Sequence, residues 1–167
     1  MRIVSKSRTR RTLRETPAPY VSDIPGPLYC DTSALLKAFV SEPGSEDFNA
    51  LIEGREDILI SDLAISELVS ALTRRRRQGT IAPDLVSRVY RAILMRLVDA
   101  PHQRLELTAD VHRRAEQLML AVIDIPLRAA DALHVALAMS AGARSLASFD
   151  SRLIAAARAI GLATYPR

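Results

Sequence analysis

The chain has 167 residues, 49% of them apolar and 25% charged, which suits one soluble domain with a core of its own. Its single cysteine, Cys30, rules out an intrachain disulfide, and no apolar run approaches the ~18 residues of a membrane span. The net charge of +4 lies wholly in residues 1–27, with six basic and two acidic side chains, whereas residues 28–167 hold 17 of each.

The arginine-rich start lacks the apolar segment of a secretory signal, so cytoplasm is the expected compartment. It runs into TPAPYVSDIPGP (16–27), whose four prolines and one glycine read as an extended lead-in. Residues 1–27 are therefore expected to be a basic, disordered extension, and 28–167 one folded domain. The tail's charge offers non-specific attraction to phosphates.

The body opens with LYC (28–30), a short apolar strand, and Asp31-Thr32-Ser33 starts a helix reaching about Val40. Pro43-Gly44 breaks the chain before a helix at roughly 44–54, and ILIS (58–61) reads as a second strand. A long amphipathic helix follows, with Leu63, Ile65, Leu68, Val69 and Leu72 on its apolar side, and it ends in Arg74–Arg77 and Gly79. Pro83 opens a helix over 83–99 that Pro101 closes. RLEL (104–107) reads as a third strand, and 108–122 and 128–141 as helices. SLASF (145–149) is a fourth strand, Asp150 starts a helix to Ile160, and ATY (163–165) forms a short edge strand.

Short apolar strands alternating with helices predict a parallel sheet covered on both faces, a three-layer α/β/α sandwich. Such sheets bind ligands beyond the carboxyl ends of their strands, and Asp31 and Asp150 directly follow two of them. Each of Asp31, Asp131 and Asp150 also has a plain explanation as a helix-start residue. Glu67 does not, since it interrupts the apolar DLAISELVSAL, and Asp131 and His134 likewise interrupt LRAADALHVALAM. Four converging carboxylates would repel one another and shift their pKa values upward unless a hard divalent cation sat among them. An all-oxygen set favours Mg²⁺ or Mn²⁺, and with one cysteine and scattered His102, His112 and His134 there is no zinc set. The chain carries no GxGxxG, no GxxxxGK[ST] and no GxSxG, which excludes dinucleotide, P-loop and α/β-hydrolase chemistry.

Four stretches resemble the PIN-domain ribonucleases, and within them the VapC toxins of type II toxin–antitoxin pairs. They are YCDTSALLKAFVSEPGSE (29–46), ISELVSAL (65–72), AADALHVALA (129–138) and LASFDSRLIAAARAIGL (146–162). The resemblance spans roughly Leu28 to Pro166 and places the family's metal-binding acids on Asp31, Glu67, Asp131 and Asp150. It implies direct ligands at Asp31 and Asp131, with Glu67 and Asp150 completing the site. Position 148 is Ser where many members have Thr, which keeps the hydroxyl. The implied activity is Mg²⁺-dependent (or Mn²⁺-dependent) endoribonucleolytic cleavage, with RNA as substrate, a cognate antitoxin as partner and a homodimer as the assembly. Thr32, Ser33 and Lys37 are candidate substrate contacts, the first two with an alternative as helix caps and Lys37 as an ion-pair partner. Arg74–Arg77 has an RNA-binding reading beside that of a solvated helix end. Alternatives are a PIN-type RNA-processing nuclease without antitoxin, or an inactive PIN module that only binds RNA or protein. None of the four acids is missing, which speaks against the last.

Overall fold

The strands LYC, ILIS and SLA are short and wholly buried, so they must be covered on both faces, and among the described residues seven helices do this. The structure, a computed structural model, describes residues 24–99 and 102–167. The elements are β1 (Leu28–Cys30), α1 (Thr32–Phe39), α2 (Ser45–Ile52), β2 (Ile58–Ser61), α3 (Asp62–Arg77) and α4 (Leu85–Asp99). They continue as β3 (Gln103–Leu105), α5 (Ala109–Ala121), α6 (Ala129–Ser140), β4 (Ser145–Ala147), α7 (Ser151–Ala159) and β5 (Ala163–Tyr165). The five strands form one sheet in the order β3-β2-β1-β4-β5, with every pairing parallel.

Alternation along the strands sorts the core into two halves. Leu28, Cys30, Ile58 and Ile60 face one cluster with Leu35 of α1, Phe48 of α2, Leu68 and Leu72 of α3 and Ile93 of α4. Tyr29, Leu59, Leu105 and Leu146 face the other, against Val111 of α5, Val135 of α6 and Leu153 of α7. The expected three-layer sandwich is the observed one.

Two strand ends differ from expectation, each for a local reason. β3 is shifted one residue early and stops at Leu105, whose partner Ser61 is the last residue of β2; Glu106 and Leu107 are exposed. β4 ends at Ala147, because the Ser148 N–H donates to Tyr165 O while the Ser148 hydroxyl donates to Asp31. The turn at Pro43-Gly44 relies on a left-handed glycine, φ +84°, ahead of α2. Of the lead-in, residues 16–23 lie outside the described residues, but the packing reaches back to Ile24, which is buried in the first cluster. There the Ser145 hydroxyl donates to Pro25 O, and the Arg144 and Ser145 N–H groups donate to Pro27 O.

The strand order also locates a crevice. From β1 the chain steps outward to β2 and β3 on one side, and β4 and β5 occupy the other, so the order reverses between β1 and β4. A ligand crevice is expected where the carboxyl ends of those two strands diverge.

Candidate active site

Asp31 follows β1 at that reversal and begins α1. Its Oδ1 accepts the Ala34 N–H at 2.8 Å, which caps the helix, and the Ser33 hydroxyl at 2.8 Å. Its Oδ2 accepts the Ser148 hydroxyl at 2.6 Å from the end of β4. Only 4% of Asp31 is exposed. Burial pushes its carboxyl above the ordinary carboxylate range, against the opposing pull of Ser148, Ala34, His134 and Ser33. The Ser148 oxygen in turn accepts the Asp150 N–H at 3.0 Å, so one hydroxyl joins the β1 and β4 ends.

Glu67 lies on α3, in the layer opposite α6, and a hydrogen bond links the two. Its Oε2 accepts the Thr32 hydroxyl and stands 2.9 Å from His134 Nε2. The His134 bond draws the Glu67 carboxyl below its ordinary value, with part-burial opposing and Thr32 assisting. The other nitrogen of His134, Nδ1, lies 2.7 Å from the Tyr29 hydroxyl, which lies 2.7 Å from Ser61 Oγ. Ser61 ends β2 and caps α3 by accepting the Ala64 N–H. Tyr29 is wholly buried, and a hydroxyl left unbonded there would cost ~1–3 kcal/mol.

The other two acids have local partners. Asp150 caps α7, accepting the Arg152 N–H at 2.8 Å, with the Arg152 guanidinium 3.4 Å from its second oxygen. Burial opposes its ionisation, but these donors outweigh it and hold the carboxyl below the ordinary range. Asp131 accepts the Arg128 N–H at 3.2 Å in the first turn of α6, one turn before His134. That turn lies at the carboxyl edge of the sheet, since α6 runs back to the start of β4.

The structure thus ties Asp31 to the Asp150 backbone through Ser148, holds Glu67 on Thr32, the residue after Asp31, and sets Asp131 on the same rim. Two expectations are corrected. The buried acid is Asp31, while Glu67 keeps 36% of its side chain exposed and Asp131 is half-buried. The expected upward pKa shift is found at Asp31, where it comes first from burial, whereas Glu67 and Asp150 have donors that lower theirs. Thr32 and Ser33 are engaged with the acids themselves, Ser33 also accepting the Phe149 N–H at 2.6 Å. Lys37 is held 3.4 Å from Glu42 and lies over the Phe149 ring, while Arg75 of the arginine cluster pairs with the same Glu42. Sequence reasoning missed Tyr29 and Ser61, whose only signal was a polar atom in each of two otherwise apolar strands, and it undervalued Ser148.

Among the described residues, no three acidic, histidine or cysteine side chains stand close enough together to cage a cation as they are. The donor chemistry nevertheless fits a hard divalent ion. The rim offers carboxylate and hydroxyl oxygens, both His134 nitrogens are engaged, and burial holds the Cys30 thiol protonated inside the core. Asp31 in particular is a buried acid whose ionised form a nearby cation would favour.

Comparison with known proteins agrees with this reading. The PIN domain family model matches residues 28–159. Ribonuclease VapC45 of Mycobacterium tuberculosis is 33% identical over 141 residues, covering 83% of this chain and 94% of the relative. The crystal structure of M. tuberculosis VapC20, a Sarcin-Ricin loop cleaving toxin, superposes with a TM-score of 0.60 at 18% identity, covering 77% of this chain and 94% of that one. VapBC2 of Rickettsia felis, bound to a fragment of its promoter DNA, gives 0.58 at 14% identity, covering 82% and 96%. At those identities the two structures speak for the fold.

Proposed function

This chain belongs to the PIN-domain family, and we propose that it is an Mg²⁺-dependent endoribonuclease, the toxin of a type II toxin–antitoxin pair. The observation that carries the reading is the buried Asp31 carboxylate at the β1–β4 reversal, joined through the Ser148 hydroxyl to the Asp150 N–H and followed in the chain by Thr32, whose hydroxyl donates to Glu67. The two 33%-identical relatives are both named ribonucleases, and solved relatives of the same fold include toxin–antitoxin complexes.

In this mechanism Asp31, Glu67, Asp131 and Asp150 hold the cation. When bound, it polarises water and neutralises charge on the phosphate. Ser33, Ala34 and Ser148 fix the Asp31 carboxylate before substrate arrives, so no reorganisation accompanies the reaction. Glu67, with both of its described donors on Oε2, has Oε1 left to accept the proton of the attacking water. The water oxygen then bonds to phosphorus as the opposite P–O bond breaks, the departing sugar oxygen takes a proton from solvent, and Glu67 returns to solvent the one it accepted. Thr32 and Ser33 set the acids through hydroxyls that donate to Glu67 and Asp31.

The reading places the enzyme in the cytoplasm with an antitoxin partner and as a homodimer. No helix among the described residues is long and apolar enough to cross a membrane. Val98 on α4, and Leu120 and Ile123 at the end of α5, are more than three-quarters exposed and offer apolar surface to protein partners. The test incubates the purified chain and Asp31→Asn with labelled RNA in Mg²⁺, Mn²⁺ or EDTA, and maps new 5′ ends. Cleavage by wild type in either metal and by neither sample in EDTA is expected. Cleavage that persists in EDTA, or unchanged in Asp31→Asn, defeats the proposal.

A further inference from the structure

The column Ser61–Tyr29–His134 is buried from end to end and terminates on an acid of the site. Proton accounting along it leaves one arrangement in which every group is satisfied. Ser61 Oγ already accepts the Ala64 N–H, so its own proton is available to the Tyr29 oxygen 2.7 Å away. The Tyr29 hydroxyl then donates to His134 Nδ1, and His134 carries its proton on Nε2 and gives it to Glu67 Oε2. With the proton on Nδ1 instead, Tyr29 must donate to Ser61. The Ser61 proton then has no acceptor, and Glu67 faces a bare nitrogen.

We infer that Tyr29 and His134 are positioning residues, which lock the imidazole in its Nε2–H tautomer and thereby fix Glu67. Two donors, Thr32 and His134, converge on Oε2 from different elements. They hold the carboxylate at one oxygen and leave Oε1, which has no hydrogen bond among the described residues, for the cation or the water. His134 is thus an outer support of the site, of the kind that orients ligands in metal centres. The inference rests on Glu67 serving the cation site.

The experiment has two readouts, neither of them nuclease activity. The first is ¹⁵N NMR of histidine-labelled full-length chain without metal, with the His134 signals assigned by their loss in His134→Gln. A bare Nδ1 and a protonated Nε2 are expected, and the opposite tautomer or an imidazolium overturns the lock. The second is Mn²⁺ affinity by titration calorimetry. His134→Leu is expected to bind ~10-fold or more weakly, as losses of such outer partners do. His134→Gln keeps a side-chain N–H donor and is expected to recover most of that loss. Tyr29→Phe, which preserves the buried ring, is expected to mix the tautomers and weaken binding by a smaller factor. Glu67→Gln separates the two failures. If it weakens Mn²⁺ binding but His134→Leu, still folded by circular dichroism, does not, the positioning role falls alone. If Glu67→Gln binds Mn²⁺ like wild type, the metal role of Glu67 falls and the inference with it.

Discussion

The two halves of the acidic rim are built differently. Asp31 and Glu67 are tied to residues far along the chain, Asp31 to Ser148 and Glu67 to Thr32 and His134. The Asp131 and Asp150 carboxylates bond residues two or three positions away, as helix-start acids do anywhere. The first half is therefore set by tertiary structure and exists only when the sheet and both helix layers are assembled. The second needs little more than a helix end, and in our reading the cation itself completes its alignment. This contrast explains why the acids form no closed cage among the described residues although the donors suit one.

The comparison can be tested by mutation, beginning with the largest expected effect. Asp31→Asn is expected to lower the rate of RNA cleavage by on the order of 10³-fold, since it removes the charge and one lone-pair set of a buried preorganised ligand. Asp131→Asn keeps an acceptor for the Arg128 N–H, so helix capping survives while the charge goes. Its cleavage rate is expected to fall ~100-fold with urea stability unchanged within about 0.5 kcal/mol. An equal loss of stability would show that Asp131 is a cap and nothing more. Ser148→Ala removes the hydroxyl that joins the halves, leaving Asp31 short of a donor and the Asp150 N–H without its acceptor. A loss of ~1–3 kcal/mol in urea unfolding is expected, with a cleavage defect of about tenfold, and Ser148→Thr is expected to restore both.

The smallest effect lies outside both halves, at Glu42, where burial opposes ionisation but the Arg75 and Lys37 cations outweigh it and lower the pKa. Because the folded value is depressed, the stability it contributes is present above the unfolded value near 4.5 and is lost as pH falls through the folded value. Glu42→Gln is accordingly expected to cost about 1 kcal/mol at pH 7. The gap from wild type should close below pH 4.5 in paired denaturation curves. A gap that stays constant with pH would assign the effect to packing.

Sequence alone revealed the layer architecture because each strand is a short apolar run and each helix has strong punctuation, such as Pro43-Gly44 or Gly79. The family resemblance was likewise legible, and the PIN domain match over residues 28–159 bears it out. The interior wiring was not legible. Nothing in LYC or ILIS says that the Tyr29 hydroxyl reaches past its strand partner Leu59 to Ser61, 32 positions along the chain. Burial misled in the opposite sense: apolar neighbours suggested that Glu67 was sunk, but it sits where α3 leaves the sheet edge, whereas the cap residue Asp31 is covered by β4. Side-chain period predicts which face of an element is apolar, but not how far along it the cover extends.

The parallel sheet also gives the molecule a front and a back. The segment through Ile24 joins β1 at the amino edge, held by Ser145 and Arg144 at the start of β4, whereas β5 ends at Tyr165 on the edge that carries the acids. A purification tag or fluorophore fused ahead of Ile24 therefore departs from the pole opposite the acids. After Tyr165 the chain folds back, and Arg167 lines one pocket with Ile24, Arg158 and Ala163, so cargo fused there departs from the same pole. Attached at Ile24 or at Arg167, the protein would present its reactive rim to solution.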